Sequence, residues 1–257
     1  CLRTMNKISA IIITLNEARH IERCIRSVLP VADEVIVLDS FSTDNTATLA
    51  LQLGARVYQH KFDGYGPQKN RAIEHARYDW ILNIDADEAL SPELEQSILE
   101  AKKKFSYDAY ACNRLTNYCG KWIRHCGWYP DRLIRLWHKD KAGVTQDKVH
   151  EQFVLNPGSH AGFLKGDLLH YSYHTISDHI KKIEQYSEIG AQRDVARGKR
   201  CSLLKLWLLP KWIFFTVYII RLGFLDGYYG YVISKNSAFA AFVKYLKIRE
   251  HFMSYEL

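Results

Sequence analysis

The run Trp80-Ile-Leu-Asn-Ile84, followed by Asp85-Ala86-Asp87, decides how this chain is read. A short, apolar, β-prone run predicts a buried strand. Its C-terminal end is where open α/β sheets place their ligands. Alternation along an extended strand puts residues 85 and 87 on one side. Two such carboxylates repel unless a cation or hydrogen-bond donors hold them. Hard oxygen ligands suit Mg²⁺ or Mn²⁺, whose shells are commonly completed by phosphate oxygens. The pattern therefore predicts a metal–diphosphate site. The plain alternative is a solvated turn before a helix, and Ser91-Pro92-Glu93-Leu94 reads as an N-cap, a first-position proline and an acidic first turn. An EF-hand loop lacks its central Gly and further oxygen ligands here. An aspartyl-phosphate phosphohydrolase would also use two such carboxylates.

Working outward, the preceding chain alternates strand and helix. Residues 8–13, 34–38, 55–58 and 79–84 read as strands. Residues 16–28 carry Ile21, Ile25 and Val28 at helical spacing, a second helix runs from the 42–46 cap to Leu53 with Gly54 ending it, and 67–76 form a third. This rhythm predicts a parallel sheet with right-handed crossovers. Residues 105–173 are rich in Tyr, Trp, Arg and His, with strand-like pieces near 107–113, 132–137, 150–155 and 163–171. They predict the far edge of the sheet and loops that cover a site. Residues 175–197 read as one helix.

Bulk numbers narrow the class. With 47% apolar residues in 257, the chain can bury a large core, and disorder is not expected. Six cysteines include no Cys-x-x-Cys, and the even spacing of Cys112, Cys119 and Cys126 is not a zinc spacing, so free thiols in a reducing cytosol are expected. Residues 1–7 hold no long apolar run, so no secretory leader is expected, and Met5 suggests a native start other than Cys1. The net charge of +7 is uneven: residues 197–249 hold ten Lys/Arg and one acid, Asp226. Mixed with Trp, Phe, Tyr and Leu, this charge argues against nucleic acid and for an anionic membrane surface. Residues 203–225 are apolar but interrupted by Lys205, Pro210, Lys211 and Arg221, leaving nine uncharged residues at 212–220. A span needs about 20, so an interfacial helical pair is expected, with Gly227 and Gly230 breaking the chain before a last helix at 236–252.

Four pieces, in order on successive strand–helix units, carry a resemblance: Ile13-Thr-Leu-Asn-Glu17, Leu38-Asp-Ser-Phe-Ser-Thr-Asp44, Gln68-Lys-Asn-Arg71 and Asn83-Ile-Asp-Ala-Asp-Glu88. The chain resembles family 2 of the inverting glycosyltransferases. Val149-His-Glu151, Leu168-Leu-His-Tyr-Ser-Tyr173 and Arg221-Leu-Gly-Phe-Leu-Asp-Gly227 resemble its bacterial lipopolysaccharide inner-core β-1,4-glucosyltransferase branch. The implied architecture is α/β, the GT-A nucleotide-diphospho-sugar transferase fold, a Rossmann-like mixed sheet flanked by helices. Residues 7–174 would form the catalytic domain, with a nucleotide half at 7–115 and an acceptor half at 116–174. Residues 175–257 would be a basic, amphipathic helical extension that associates with membrane.

The resemblance also implies roles. Thr14, Asn16 and Glu17 would face the nucleotide, with helix capping the alternative for the last two. Asp39 would bond uracil or ribose, or simply cap its strand. Lys69 and Arg71 would meet diphosphate oxygens, or face water. Asp85 would contact ribose or the Mg²⁺ or Mn²⁺ ion, and Asp87 would ligate that ion directly; His150 would help hold the metal or the diphosphate, or else be a satisfied loop histidine. Glu151, or else Asp147, would be the general base, unless both are partners of Arg132 or Arg135. Trp122, Trp128 and Tyr129 would stack on acceptor sugars or belong to the core, Arg124, Arg132 and Arg135 would pair with acceptor anions, and His170 and His174 would be structural. The implied reaction moves glucose from UDP-glucose onto a lipid-linked lipopolysaccharide-core heptose, at the cytoplasmic face of the bacterial inner membrane. A metal-dependent phosphohydrolase and a non-catalytic nucleotide-sugar-binding scaffold are the rival expectations.

Overall fold

The computed structural model describes residues 6–145 and 152–253. The chain divides into two compact units, residues 1–114 with 131–170 and residues 115–130 with 171–257. This division differs from a boundary at 174, because 115–130 group with the C-terminal segment.

In the first unit, β1 (Ile8–Thr14), β2 (Glu34–Asp39), β3 (Arg56–Gln59) and β4 (Trp80–Asp85) form a parallel ladder in the order β3-β2-β1-β4. Helices α1 (Ile21–Val28), α2 (Thr46–Gln52) and α3 (Tyr65–Glu74) make the crossovers. β1 is mostly apolar because both its faces are covered; its Ser9 hydroxyl is satisfied by Glu34. Ile8, Ala10 and Ile12 pack with α1 and with Leu82 and Ile84, whereas Ile11 packs with Ile36, Ile81, Ala72 and Trp137.

Beyond β4 the sheet becomes antiparallel. β8 (Asp131–His138) pairs with β4, β6 (Ala109–Tyr118) with β8, and β11 (Ala161–Tyr173) lies between β6 and the short β5 (Glu88–Leu90). A hairpin of β9 (Ala142–Val144) and β10 (Phe153–Leu155) stands apart from the sheet. Helix α4 (Pro92–Lys103) starts as read, Ser91 Oγ accepting from the Leu94 amide. Strand order reverses at β1, so the C-terminal ends of β1 and β4 flank a topological switch point.

Helix α1 begins five residues later than its apolar spacing predicts. Asn16 is left-handed, with φ 55°, and the amides of Asn16, Glu17 and Ala18 donate to Ser42 Oγ, Thr46 Oγ1 and Asp44 Oδ2. Those donors serve the turn before α2 and do not open a helix.

The second unit is mainly helical. It holds β7 (Lys121–Trp122), α5 (Ile176–Ala196) with a Thr175/Asp178 capping box, α6 (Leu203–Phe215), a π-helical turn at 216–220, a 3₁₀ turn at 223–226, and α7 (Gly227–Met253). Two points of the sequence reading change here. Helical backbone runs unbroken through Pro210; Leu203–Ile220, with a mean hydropathy of 1.6 over 18 residues, is by length and composition alone able to cross a membrane, which leaves the interfacial expectation where it stood. Gly227 and Gly230 do not delay the last helix; they lie in its first turn. Gly230 is a contact residue, since an added Cβ would stand 1.8 Å from the Gly223 carbonyl oxygen. On α5, Asp194 is 3% exposed and pairs with Lys244 at 2.6 Å and Lys199 at 3.0 Å.

Two stability changes are expected. Gly230→Ala must displace backbone, and should lower unfolding free energy by about 1–3 kcal/mol or more in urea titrations. Hydrogen bonds from Lys244 and then Lys199 depress the Asp194 carboxyl to about 2. Its contribution is therefore complete above pH 4 and vanishes as pH falls toward 2. Asp194→Asn should cost about 1–2 kcal/mol at neutral pH, and the gap from the parent should close below pH 4.

Candidate functional site

The parallel register sets Ile13 beside Asp85 and Thr14 beside Asp39, so the predicted residues at the ends of β1, β2 and β4 share one edge. Thr14 is buried there, and its Oγ1 has no hydrogen-bond partner. Asp39 is fully buried and caps the following turn, accepting from the Ser42 amide at 2.9 Å and from Ser42 Oγ, with Gln59 Nε2 at 3.4 Å. Asn16 Oδ1 accepts from the Thr43 amide at 2.8 Å, which ties the β1 and β2 loops together.

The strand does not stay extended through the acidic pair: residues 86 and 87 form a turn before β5. The alternation argument for 85 and 87 therefore gives way to a tight turn, fastened by Glu88, whose Oε2 accepts the Asp85 amide at 3.0 Å. Asp85 lies between two buried cations, Oδ1 3.2 Å from Lys69 Nζ and Oδ2 3.0 Å from Arg135 Nη2. The same Nη2 reaches Glu88 Oε1 at 2.7 Å. Burial pushes the Asp85 carboxyl up, but Lys69 and Arg135 outweigh it and hold the group well below the usual range. Glu88 goes the other way: burial raises it against the pull of Arg135, and the charges of Asp85 and Asp87 add to the rise.

Asp87 has a separate partner, His170 Nε2, at 3.2 Å from its Oδ2. Antiparallel pairing of β11 with β5 sets His170 opposite Glu88 and so beside this turn. A cavity of about 200 Å³ adjoins Asp85, lined by Lys69, Asn83, Arg114, Arg135 and Trp137 among others. Trp137 Nε1, Arg135 Nε and Asn83 Oδ1 are buried without hydrogen-bond partners.

Several expectations need correction. Arg71 is not brought to Asp85; Asp63 holds it in a two-point pair at 2.8 and 2.7 Å. Arg135 is not an acceptor-binding group, being 6% exposed and engaged by Asp85 and Glu88. Trp128 packs among Tyr118, Tyr173 and His179, as core aromatics do. Arg132 lies over Phe163 and Arg124 over Tyr129. Asp147, His150 and Glu151 fall outside the described residues; Val144 and Phe153, which bracket them in sequence, both line the cavity. Glu88 and His170 are the residues sequence reasoning missed. Glu88 stood in a quoted motif without a role, and His170 is recruited by strand register across more than eighty positions, for which no local signal exists.

Among the described residues no group of three or more His, Cys, Asp or Glu side chains gathers to hold a metal. The Asp87–His170 pair nevertheless suits one ion. An oxygen and a nitrogen 3.2 Å apart match the separation of about 3 Å between neighbouring ligands on an octahedral ion with bonds near 2.1 Å.

The chain is similar to known proteins along most of its length. Residues 9–168 match Glycosyl transferase family 2. An uncharacterized glycosyltransferase of Rickettsia felis is 38% identical over 96% of this chain and 90% of its own length. The lipopolysaccharide core biosynthesis glycosyltransferase LpsC of Rhizobium meliloti is 31% identical over 94% of this chain and 91% of its own. Among solved structures, glucosyl-3-phosphoglycerate synthase from Mycobacterium tuberculosis, in complex with Mn²⁺, UDP and glucosyl-3-phosphoglycerate, shares 27% identity over 44% of each chain, with a TM-score of 0.37. The phosphohydrolase and scaffold expectations fall away, because the strand-end acids, the mixed sheet and the near full-length relatives meet in one assignment: the chain belongs to family 2 of the glycosyltransferases and is a glycosyltransferase enzyme with the GT-A architecture.

Proposed function

We propose that the enzyme transfers a hexose, glucose from UDP-glucose, to a heptose of a lipid-linked lipopolysaccharide core, with inversion at the anomeric carbon. The observation that carries this reading is the likeness to LpsC along nearly the whole of both chains. The edge at Thr14, Asp39 and Asp85 is the fitting place for the nucleotide, because strand ends at a switch point leave a crevice. Lys69 and Arg135, held on Asp85, supply positive potential where a diphosphate would lie. Asp87 and His170 are the residues that would hold Mg²⁺ or Mn²⁺, whose chemistry is to offset charge on a departing diphosphate.

In the reaction the acceptor hydroxyl oxygen bonds to the anomeric carbon as the bond from that carbon to the phosphate oxygen breaks. The bonding pair leaves with UDP, and the hydroxyl proton passes to a carboxylate base, for which Glu151 and then Asp147 are the sequence candidates. Attack opposite the leaving group turns an α-linked donor into a β product. General base assistance of this kind is worth roughly 10²–10⁴-fold.

The acceptor's lipid anchor fits the second unit. Leu203, Leu204, Trp207, Trp212, Ile220 and Tyr228 are each more than half exposed. An apolar face set among ten cations suits an anionic bilayer surface. We place the enzyme there as a peripheral protein of the cytoplasmic face.

The test is UDP release from a panel of UDP-sugars with Mn²⁺, with and without truncated lipopolysaccharide. UDP-glucose with the lipopolysaccharide should give the fastest release; another preferred donor, or release indifferent to the acceptor, overturns the donor or acceptor assignment. Asp87→Ala and His170→Ala should each lower kcat/KM about 10–100-fold and weaken Mn²⁺ binding measured by electron paramagnetic resonance, with unfolding midpoints near the parent's.

A further inference from the structure

One buried carboxylate in the second unit has no part in the transfer reaction. Asp226 is 3% exposed. Its side chain accepts from the amides of Arg124 at 3.3 Å and His125 at 2.8 Å, with the His125 ring Nδ1 at 3.1 Å. Lys121 Nζ donates to the Asp226 carbonyl at 2.7 Å, and the Cys126 amide donates to the Arg221 carbonyl at 3.0 Å. The Arg221 side chain lies on Gly127, where an added Cβ would meet its Cδ at 2.6 Å. Residues 121–127 and 221–227 thus form one fastened junction around a single acid.

The surface of that junction has an unusual mixture. Lys121, Arg124 and Arg221 are exposed. In the same turn Leu222, Phe224, Leu225 and Tyr228 are 45%, 44%, 54% and 67% exposed. Residues 115–130 contain no acid, and the one acid of 197–249 is the buried Asp226. The exposed charge is therefore of one sign. A soluble anion would give four apolar side chains nothing to do. A lipid headgroup gives both sets a partner, because apolar side chains enter the acyl boundary while Lys and Arg stay at the depth of the phosphates.

We propose that this junction is a lipid-phosphate site: Lys121, Arg124 and Arg221 hold the headgroup phosphate of an anionic lipid, and Leu222, Phe224 and Leu225 embed beside it. The proposal rests on the membrane reading above and deepens it, assigning headgroup recognition to a turn that includes residues outside the basic segment. Asp226 serves as its frame, binding backbone amides so that the cations on both segments are held together.

The test uses the full chain and flotation with phosphatidylcholine vesicles, with and without phosphatidic acid. The parent should bind both and gain affinity from phosphatidic acid. The double variant R124Q/R221Q should lose about tenfold or more of that gain and keep its binding to neutral vesicles. R193Q/R197Q, which removes the same charge from exposed positions on and beyond α5, should keep most of the gain. Excess inorganic phosphate should leave the gain in place. If R221Q shifts the unfolding midpoint, R124Q alone carries the test, with an expected loss of about fivefold. Equal losses in the two double variants would reduce the effect to bulk charge and overturn the proposal, and competition by inorganic phosphate would assign the site to a soluble anion instead. Binding to neutral vesicles without any phosphatidic-acid gain overturns the proposal and leaves the membrane reading standing. No binding to either vesicle removes the membrane reading, and the proposal with it.

Discussion

The site depends on how one half-buried negative charge is compensated. Asp85 ends a mostly apolar strand, where partial burial disfavours an unpaired carboxylate. Lys69 from α3 and Arg135 from β8 approach its two oxygens separately, so the charge survives. Glu88 then joins the network from the following strand, taking both the Asp85 amide and the Arg135 guanidinium. The sheet's change from parallel to antiparallel is what permits this, because β8 must run beside β4 to present Arg135. Removing one member would leave another buried and unpaired, which is costlier than losing the pair. A lysine at 135 would not replace the guanidinium, which meets two carboxylates from a planar, always charged group.

This network also separates the two acids of the motif. Asp85 is engaged by cations on both oxygens, whereas Asp87, carried outward by the turn, meets an imidazole. Their environments therefore differ: Asp85 is compensated by a lysine and an arginine, and Asp87 shares an oxygen–nitrogen contact with His170.

The parallel half of the fold was legible because its signals are local. Runs such as residues 8–13 and 34–38 are largely apolar and buried on both faces, and Ser91-Pro92 and Gly54 mark helix ends by their own backbone chemistry. What failed was what depends on distant partners. The start of α1 is set by hydroxyls and a carboxylate of the 42–46 turn, so helical spacing alone placed it too early. Gly230 reads as a breaker until the Gly223 carbonyl is seen against it. Pro210 reads as an interruption, yet α6 continues through it. Arg135 and His170 were visible as residue types without addresses, because strand register across long separations assigns their partners.

Asp226 fastens amides about a hundred positions earlier in the chain. During synthesis at roughly 5–20 residues per second, that separation corresponds to about 5–20 s in which residues 121–126 exist without their anchor. The sheet edge formed by β1, β2 and β4 needs nothing made so late. During elongation the nucleotide-side strands can therefore already be ordered while the 121–126 loop still waits, and a nascent chain stalled before residue 226 would carry that loop unanchored.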